Sequence, residues 1–337
     1  MTIQEAIADL IEGKDLGHGA TVDVMNQIMS GEATDAQIGA FLVALRLKGE
    51  SVEEIAGAAQ VMREKVTPIQ TRHDVVVDTC GTGGDHSGTF NISTVASFVV
   101  AGAGLCVAKH GNRAASSLCG SADVLKTLGV NIEASPEVVS RCLDEVGIGF
   151  LFAPALHGAM KYAIGPRREM GIRTVFNVLG PLTNPAGAQR QLIGVYSEAL
   201  TEPLAQVLGR LGSEHALVVH GLDGLDEIAL AERTQVSELR DGAVNSYEIS
   251  PECFGFTRCE AGDLKGGDAD ANAEMALSVL KGDSGPKRDV VLLNAGAAIL
   301  VGGAAEDMGA GLEAARESID SGKAMGKLEQ LKEASQG

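Results

Sequence analysis

Residues 78–123 read DTCGTGGDHSGTFNISTVASFVVAGAGLCVAKHGNRAASSLCGSAD, two glycine-rich turns joined by one helix-plus-strand unit. The first turn (Gly81, Thr82, Gly83, Gly84, Asp85) follows the apolar run Val75, Val76, Val77. The second (Lys109, His110, Gly111, Asn112, Arg113) follows Leu105, Cys106, Val107, Ala108. Both turns therefore fall at the C-terminal ends of predicted parallel strands, where the following helices aim their N-termini and free N–H groups into a crevice. Strands about 4.8 Å apart can bracket one ligand that carries phosphate at one end and diphosphate at the other. The glycines let backbone N–H groups approach an anion, and Ser93 and Thr94 offer hydroxyls and a cap to the next helix. Lys109 and Arg113 add fixed charge, with Ser116 and Ser117 as further donors. The spacing is neither that of a Walker A loop nor that of the dinucleotide G-x-G-x-x-G.

Around this unit, strand and helix alternate. Strands are expected at 75–78, 105–109, 148–152, 192–196 and 216–220. Helices are expected at 93–103, 121–128, 136–146, 202–211, 289–301, 308–321 and 323–332. Such alternation predicts an α/β fold with a mostly parallel central sheet and flanking helices. The first 65 residues are different. Thr34 with Gln37 and Ser51 with Glu54 form capping boxes that open helices. Ile38, Phe41, Leu42 and Leu45 then make one apolar stripe that other helices or a second subunit must cover. The expected organisation is a small all-helical domain (1–65), a linker (66–74) containing Pro68, and an α/β catalytic domain (75–337). Between 157 and 191 the alternation stops and basic residues, Pro and Gly accumulate; this stretch either returns to the helical domain or lines the cleft.

Composition narrows the partners. The chain has 337 residues, 45% hydrophobic and 21% charged, enough for an ample core, with a net charge of -18 and only three Tyr, eight Phe and no Trp. Such a surface repels a polyanion and offers few stacking platforms for bases, so nucleic acid is not expected. A phosphorylated ligand must instead be met by local N–H groups, a few Lys and Arg, and a divalent metal. The six cysteines contain no C-x-x-C pair and are expected to be buried, reduced thiols. MTIQEAIADLIEG lacks the pattern of a signal peptide, and no stretch reaches the roughly 18 apolar residues of a membrane span, so a cytoplasmic location is expected.

Two further groups carry chemistry. His220, Gly221, Leu222, Asp223, Gly224, Leu225, Asp226 and Glu227 follow a predicted strand; adjacent carboxylates there suit either Mg²⁺, which takes oxygen ligands and shares phosphate oxygens, or a solvated acidic loop. Arg167 and Arg168, after His157 and Lys161, are either surface charge or a two-pronged clamp for a carboxylate.

Taken in order, GTGGD, NIST, KHGNR with GSAD, PRR and GLDGLDE closely resemble the anthranilate phosphoribosyltransferases, over most of the chain to about residue 301. The resemblance implies a small helical domain plus a large α/β domain of the nucleoside phosphorylase/phosphoribosyltransferase type, a homodimer through the helical domains, and Mg²⁺ as two ions. Together with the two turns it implies phosphoribosyl diphosphate contacts at Gly81, Gly84, Asp85, Thr89, Asn91, Ile92, Ser93, Thr94, Lys109, His110, Gly111, Asn112, Arg113, Ser116, Ser117 and Ser121. It implies anthranilate contacts at Gly81, Asn112 and Arg167, and metal ligands at Ser93, Asp226 and Glu227. Lys109, Asp226 and Glu227 would act electrostatically, with no general base and with His110 and His157 as positioning or packing residues. His86, Leu118 and Cys119 stand where this family more often has Gly, Lys and Ser. The implied reaction, in tryptophan biosynthesis, joins anthranilate to phosphoribosyl diphosphate. A pyrimidine nucleoside phosphorylase, similar in fold, is the enzyme alternative, against which the Asp226–Glu227 pair speaks; a binding protein on this scaffold is the other.

Overall fold

The computed structural model describes residues 1–114 and 118–337. In chain order these give α1 (Ile3–Ile11), α2 (His18–Ser30), α3 (Asp35–Lys48), α4 (Val52–Lys65), β1 (Val76–Gly81), α5 (Ile92–Gly102), β2 (Cys106–Gly111), α6 (Ser121–Thr127), α7 (Pro136–Arg141), β3 (Ile148–Phe152), α8 (Ala153–Leu156), α9 (Lys161–Met170), α10 (Phe176–Leu179) and β4 (Arg190–Gly194). Next come α11 (Thr201–Arg210), β5 (His215–Gly221), β6 (Thr234–Arg240), β7 (Ala243–Ile249), α12 (Ala269–Leu280), α13 (Pro286–Val301), α14 (Met308–Asp320) and α15 (Lys323–Ala334). None of the helices is long and apolar enough to cross a membrane, among the described residues.

Both expected capping boxes form: the Thr34 and Ser51 hydroxyls accept from the N–H of Gln37 and Glu54, whose side chains take the cap N–H groups at 2.9 and 2.7 Å. Thr2 and Glu5 make a third. Glu54 is fully buried because it also accepts the Leu16 N–H at 2.8 Å and the Lys48 ammonium at 2.9 Å. The stripe of Ile38, Phe41, Leu42 and Leu45 is buried within the chain, under α1 and α9.

The sheet runs β3-β2-β1-β4-β5-β6-β7, with β1 to β5 parallel and the last two strands antiparallel additions. The chain builds outward from β1 through β2 to β3, then crosses back to place β4 on the other side of β1, so β1 lies at the topological switch. Strand alternation sends Leu192 and Leu217 into one apolar cluster with α5 and α13, and Ile193 and Val218 into another with the first four helices.

Several expectations need correction. The β6–β7 hairpin and α12 were not anticipated; Asp241 and Gly242 both take left-handed φ (52° and 77°), the geometry of a tight two-residue hairpin turn. His110 and Gly111 extend the strand expected at 105–109 and belong to β2 rather than to a turn. Residues 66–74 hold no helix or strand but are tied down, Thr67 N–H to the Leu156 carbonyl and Ile69 N–H to that of Pro185. Within 157–191, Ala163, Phe176, Leu179 and Leu182 lie in one apolar cluster with residues of the first four helices, while Arg173 donates to the Gly84 carbonyl and Asn184 to Asp78. Cys80, Cys106, Cys119 and Cys142 are buried, but Cys253 is exposed and Cys259 half-buried.

Candidate active site

The first turn leaves β1 at Gly81 and runs to α5 with Gly83, Gly84 and Gly88 in left-handed conformations. His86, with φ of 58°, occupies the same region without a glycine's freedom. The loop is braced at both ends. Gly266 N–H donates to the Gly88 carbonyl and Phe90 N–H to that of Leu264, while Thr82 Oγ1 accepts from Tyr196 N–H at 3.2 Å. Arg173, whose guanidinium lies 4.1 Å from the Tyr196 ring centroid, donates to the Gly84 carbonyl.

Neither Ser93 nor Thr94 caps α5. Asn91 is the cap residue, and its side chain instead donates to the Cys119 carbonyl and accepts from Asn272. The helix N-terminus is met by the acidic loop: Glu227 Oε1 accepts Ser93 N–H at 3.1 Å, and Asp226 Oδ2 accepts Gly83 N–H at 2.8 Å. Seating that loop requires glycine at two paired strand ends. A Cβ on Gly81 would lie 2.6 Å from Asp226 Oδ2, and one on its partner Gly194 would lie 1.6 Å from the Asp226 carbonyl oxygen. From below, the buried Asn294 of α13 accepts Ile228 N–H and donates to the Ile228 carbonyl.

Burial, the nearby Asp85 and Glu227 push the Asp226 carboxyl well above its ordinary range; burial lifts Glu227 to about 7 against the opposing charge of Lys109. Asp85 Oδ2 is itself buried with no hydrogen-bond partner. Three carboxylates so crowded, one of them with a buried oxygen left unbonded, suit a cation. Among the described residues no three His, Cys, Asp or Glu side chains form a ready-made cage, yet Mg²⁺ keeps waters and shares phosphate oxygens, so one or two carboxylates suffice. The residues fit the ion.

Lys109 is 3% exposed and crosses to β1, its Nζ 2.5 Å from the Thr79 carbonyl oxygen and 3.4 Å from Ser93 Oγ. Burial lowers its pKa, opposed by Asp78, Cys80 and Glu227. Lys109, Ser93, Glu227, Asp226 and Gly83 thus form one connected constellation around the tips of β1 and β2. His110 Nε2 lies 3.1 Å from His157 Nε2; burial pulls their pKa values to about 3 and about 4, so both rings are neutral near pH 7.

The remaining expected residues divide. The Asn112 carbonyl accepts from Ser121 Oγ at 3.2 Å, and Gly111 is needed because a Cβ there would sit 2.3 Å from that hydroxyl. Thr89 Oγ1 meets Ser87 Oγ, and Ile92 and Thr94 are buried in the first turn of α5. Arg113 turns to Glu133 and the Phe152 ring. Ser116 and Ser117 lie outside the described residues. Arg167 is partly buried over the Phe176 ring at 5.0 Å, while Arg168 is exposed. Sequence reasoning missed Asp78, Arg173, Asn184 and Asn294; an acid inside the apolar run 75–80 was the one available signal.

Comparison with known proteins places both parts of the chain in known families. Residues 4–66 match the glycosyl transferase family, helical bundle domain, and residues 73–325 the glycosyl transferase family, a/b domain. The chain is 56% identical over 343 residues, covering 98% of both proteins, to the anthranilate phosphoribosyltransferase of Geobacter sulfurreducens. Among solved structures it is similar to the enzyme of that name from Thermus thermophilus (TM-score 0.94, 43% identity, covering 98% of this chain and 99% of that one). It is also similar to the Saccharomyces cerevisiae enzyme in complex with PRPP and Mg (TM-score 0.89, 28% identity, 99% and 98% covered). These likenesses favour the transferase reading over the nucleoside phosphorylase. With sequence match and fold in agreement, the chain belongs to the anthranilate phosphoribosyltransferase family.

Proposed function

We propose that this protein transfers the phosphoribosyl group of 5-phosphoribosyl 1-diphosphate to the amine of anthranilate, giving N-(5-phosphoribosyl)anthranilate and diphosphate in tryptophan biosynthesis. The observation that carries the reading is the continuous link from Lys109 through Ser93 to Glu227, beside Asp226 on Gly83, at the C-terminal ends of β1 and β2. The two turns hold the sugar's phosphates through N–H groups of Gly81, Gly84, Asp85 and the 89–94 and 109–113 segments, with Ser116, Ser117 and Ser121 beyond. Ser93, Asp226 and Glu227 hold Mg²⁺, taken as two ions; bound there, the metal neutralises charge on the diphosphate. Arg167, with Gly81 and Asn112, orients the anthranilate carboxylate.

Anthranilate's aryl amine is unprotonated at neutral pH, so its lone pair attacks the anomeric carbon directly. As the N–C bond forms, the C–O bond to diphosphate breaks and its electron pair leaves with diphosphate; the amine proton passes to water. Lys109 and the turn N–H groups stabilise the departing charge without having to reorganise, and positioning supplies the rest. His110 and His157, both neutral, pack and position.

We take residues 1–65, with part of 157–191 returning to it or lining the cleft, as a helical unit joined through 66–74 to a catalytic unit, 75–337, in a cytoplasmic homodimer. Exposed Ile11, Leu47 and Ile164 on the neighbouring helices α1, α3 and α9 support the dimer surface. The direct test mixes protein, Mg²⁺, phosphoribosyl diphosphate and anthranilate and follows the loss of anthranilate fluorescence, with EDTA as control. Turnover that EDTA abolishes and that Asp226→Asn with Glu227→Gln collapses is expected. No fluorescence loss, or wild-type rates in the double variant, overturns the reading.

A further inference from the structure

The ladder between β1 and β2 stops early. It consists of Val76↔Cys106 and Val77↔Val107, although β1 stays paired with β4 as far as Gly81↔Gly194 and β2 with β3 as far as Gly111↔Phe152. Past Val77 the β1–β2 ladder ends, and side chains take over where backbone pairs would be. Asp78 Oδ1 accepts His110 N–H at 3.1 Å. Asn184 Nδ2 donates at 2.8 Å both to Asp78 Oδ2 and to the Ala108 carbonyl, while its own Oδ1 accepts Ala186 N–H at 2.9 Å. Lys109 Nζ spans to the Thr79 carbonyl. Asp78 is 0% and Asn184 5% exposed.

A buried acid is costly unless fully bonded, and a split between parallel strands leaves N–H and C=O groups without partners. Both costs are met by the same three bonds. We propose that Asp78 and Asn184 are positioning residues: a wedge that holds β1 and β2 apart at their tips and so sets the separation of the two phosphate turns and the aim of Lys109. Neither side chain touches the substrate. Asp78 acts through the His110–Gly111 backbone, and Asn184 acts through Asp78 and the Ala108 carbonyl. The assignment rests on the phosphoribosyl diphosphate reading of these turns.

The test compares wild type with Asp78→Asn and Asn184→Ala. Calorimetric binding of phosphoribosyl diphosphate with Mg²⁺, steady-state constants for both substrates, and melting temperatures are measured. Losing bonds to a fully buried carboxyl should weaken phosphoribosyl diphosphate binding about tenfold or more and lower kcat, with the anthranilate KM moving by less than about twofold. Because the two residues act through one wedge, the double variant should bind no more weakly than the worse single one. If Asp78→Asn does not fold, Asn184→Ala, which leaves the Asp78–His110 bond in place, carries the test. Wild-type affinity and kcat in the folded variants, with only the melting temperature lowered, overturn the proposal. A wild-type protein that binds no phosphoribosyl diphosphate overturns instead the functional reading beneath it.

Discussion

Gly194→Ala probes the seat of the acidic loop most sharply. The new methyl would lie 1.6 Å from the Asp226 carbonyl oxygen and 2.4 Å from its carbon, both backbone atoms that no rotamer change can move. Reaching ordinary contact requires a displacement of roughly 2 Å, and misplacing a reacting group by about 1 Å can cost about 100-fold. The loop should therefore lift off β4, breaking the bonds of Asp226 to Gly83 and of Glu227 to Ser93. Turnover should fall at least about 100-fold and the Mg²⁺ needed for half-maximal rate should rise. Gly81→Ala should do less, since its methyl meets the tip of the Asp226 carboxylate at 2.6 Å, which can swing away. Gly165→Ala, inside α9 with nothing within 4 Å, is the control and should be neutral or stabilise by about 0.5–1 kcal/mol. Rates would be followed by anthranilate fluorescence across a Mg²⁺ titration, beside thermal melts. A folded Gly194→Ala protein with wild-type turnover and Mg²⁺ dependence would refute the claim that this glycine pair seats the metal loop.

Arg167→Ala should raise the anthranilate KM roughly 10- to 100-fold, the size of a lost charge-assisted hydrogen bond, with the phosphoribosyl diphosphate KM unchanged; an unchanged anthranilate KM removes the clamp. Arg173→Ala loses both the bond to the Gly84 carbonyl and the stacking on Tyr196, so steady-state kinetics should show a several-fold higher phosphoribosyl diphosphate KM, with Arg173→Lys intermediate. Equal constants for all three proteins would rule out a brace on the first turn. Because burial depresses His110 to about 3 and His157 to about 4 from the ordinary 6.5, the unfolded chain binds more protons in that window. Their stability contribution is complete above about pH 6.5 and is lost as pH falls toward 4. Melting temperatures from pH 7 to 4 should drop less steeply for His157→Gln than for wild type, and parallel curves would contradict the buried neutral pair.

The sequence disclosed what is local. Apolar runs such as Val75, Val76 and Val77 located strands to within a few residues, capping boxes opened α3 and α4 where expected, and adjacent carboxylates at 226 and 227 announced themselves. What stayed hidden depends on partners far along the chain: Asp78 meets Asn184 across 106 residues, and Ile228 meets Asn294 across 66. The β6–β7 hairpin escaped because β7 is largely exposed and polar, so its alternation carries little apolar contrast, although Asp241 and Gly242 marked the turn. Ser93 and Thr94 looked like helix caps, but carboxylate from a distant loop took that position.

The first four helices and the sheet do not possess separate interiors. Val24, Ile28, Phe41 and Ile55 lie in one cluster with Ile193, Val195, Ala216 and Val218, and Arg63 of α4 donates to the carbonyls of Leu182 and Leu211. A protease that cut between 66 and 74 would thus liberate neither half cleanly. An excised α/β fragment would bare an oily sheet face and clump, so any shortened form of this enzyme must bring a substitute lining for that face.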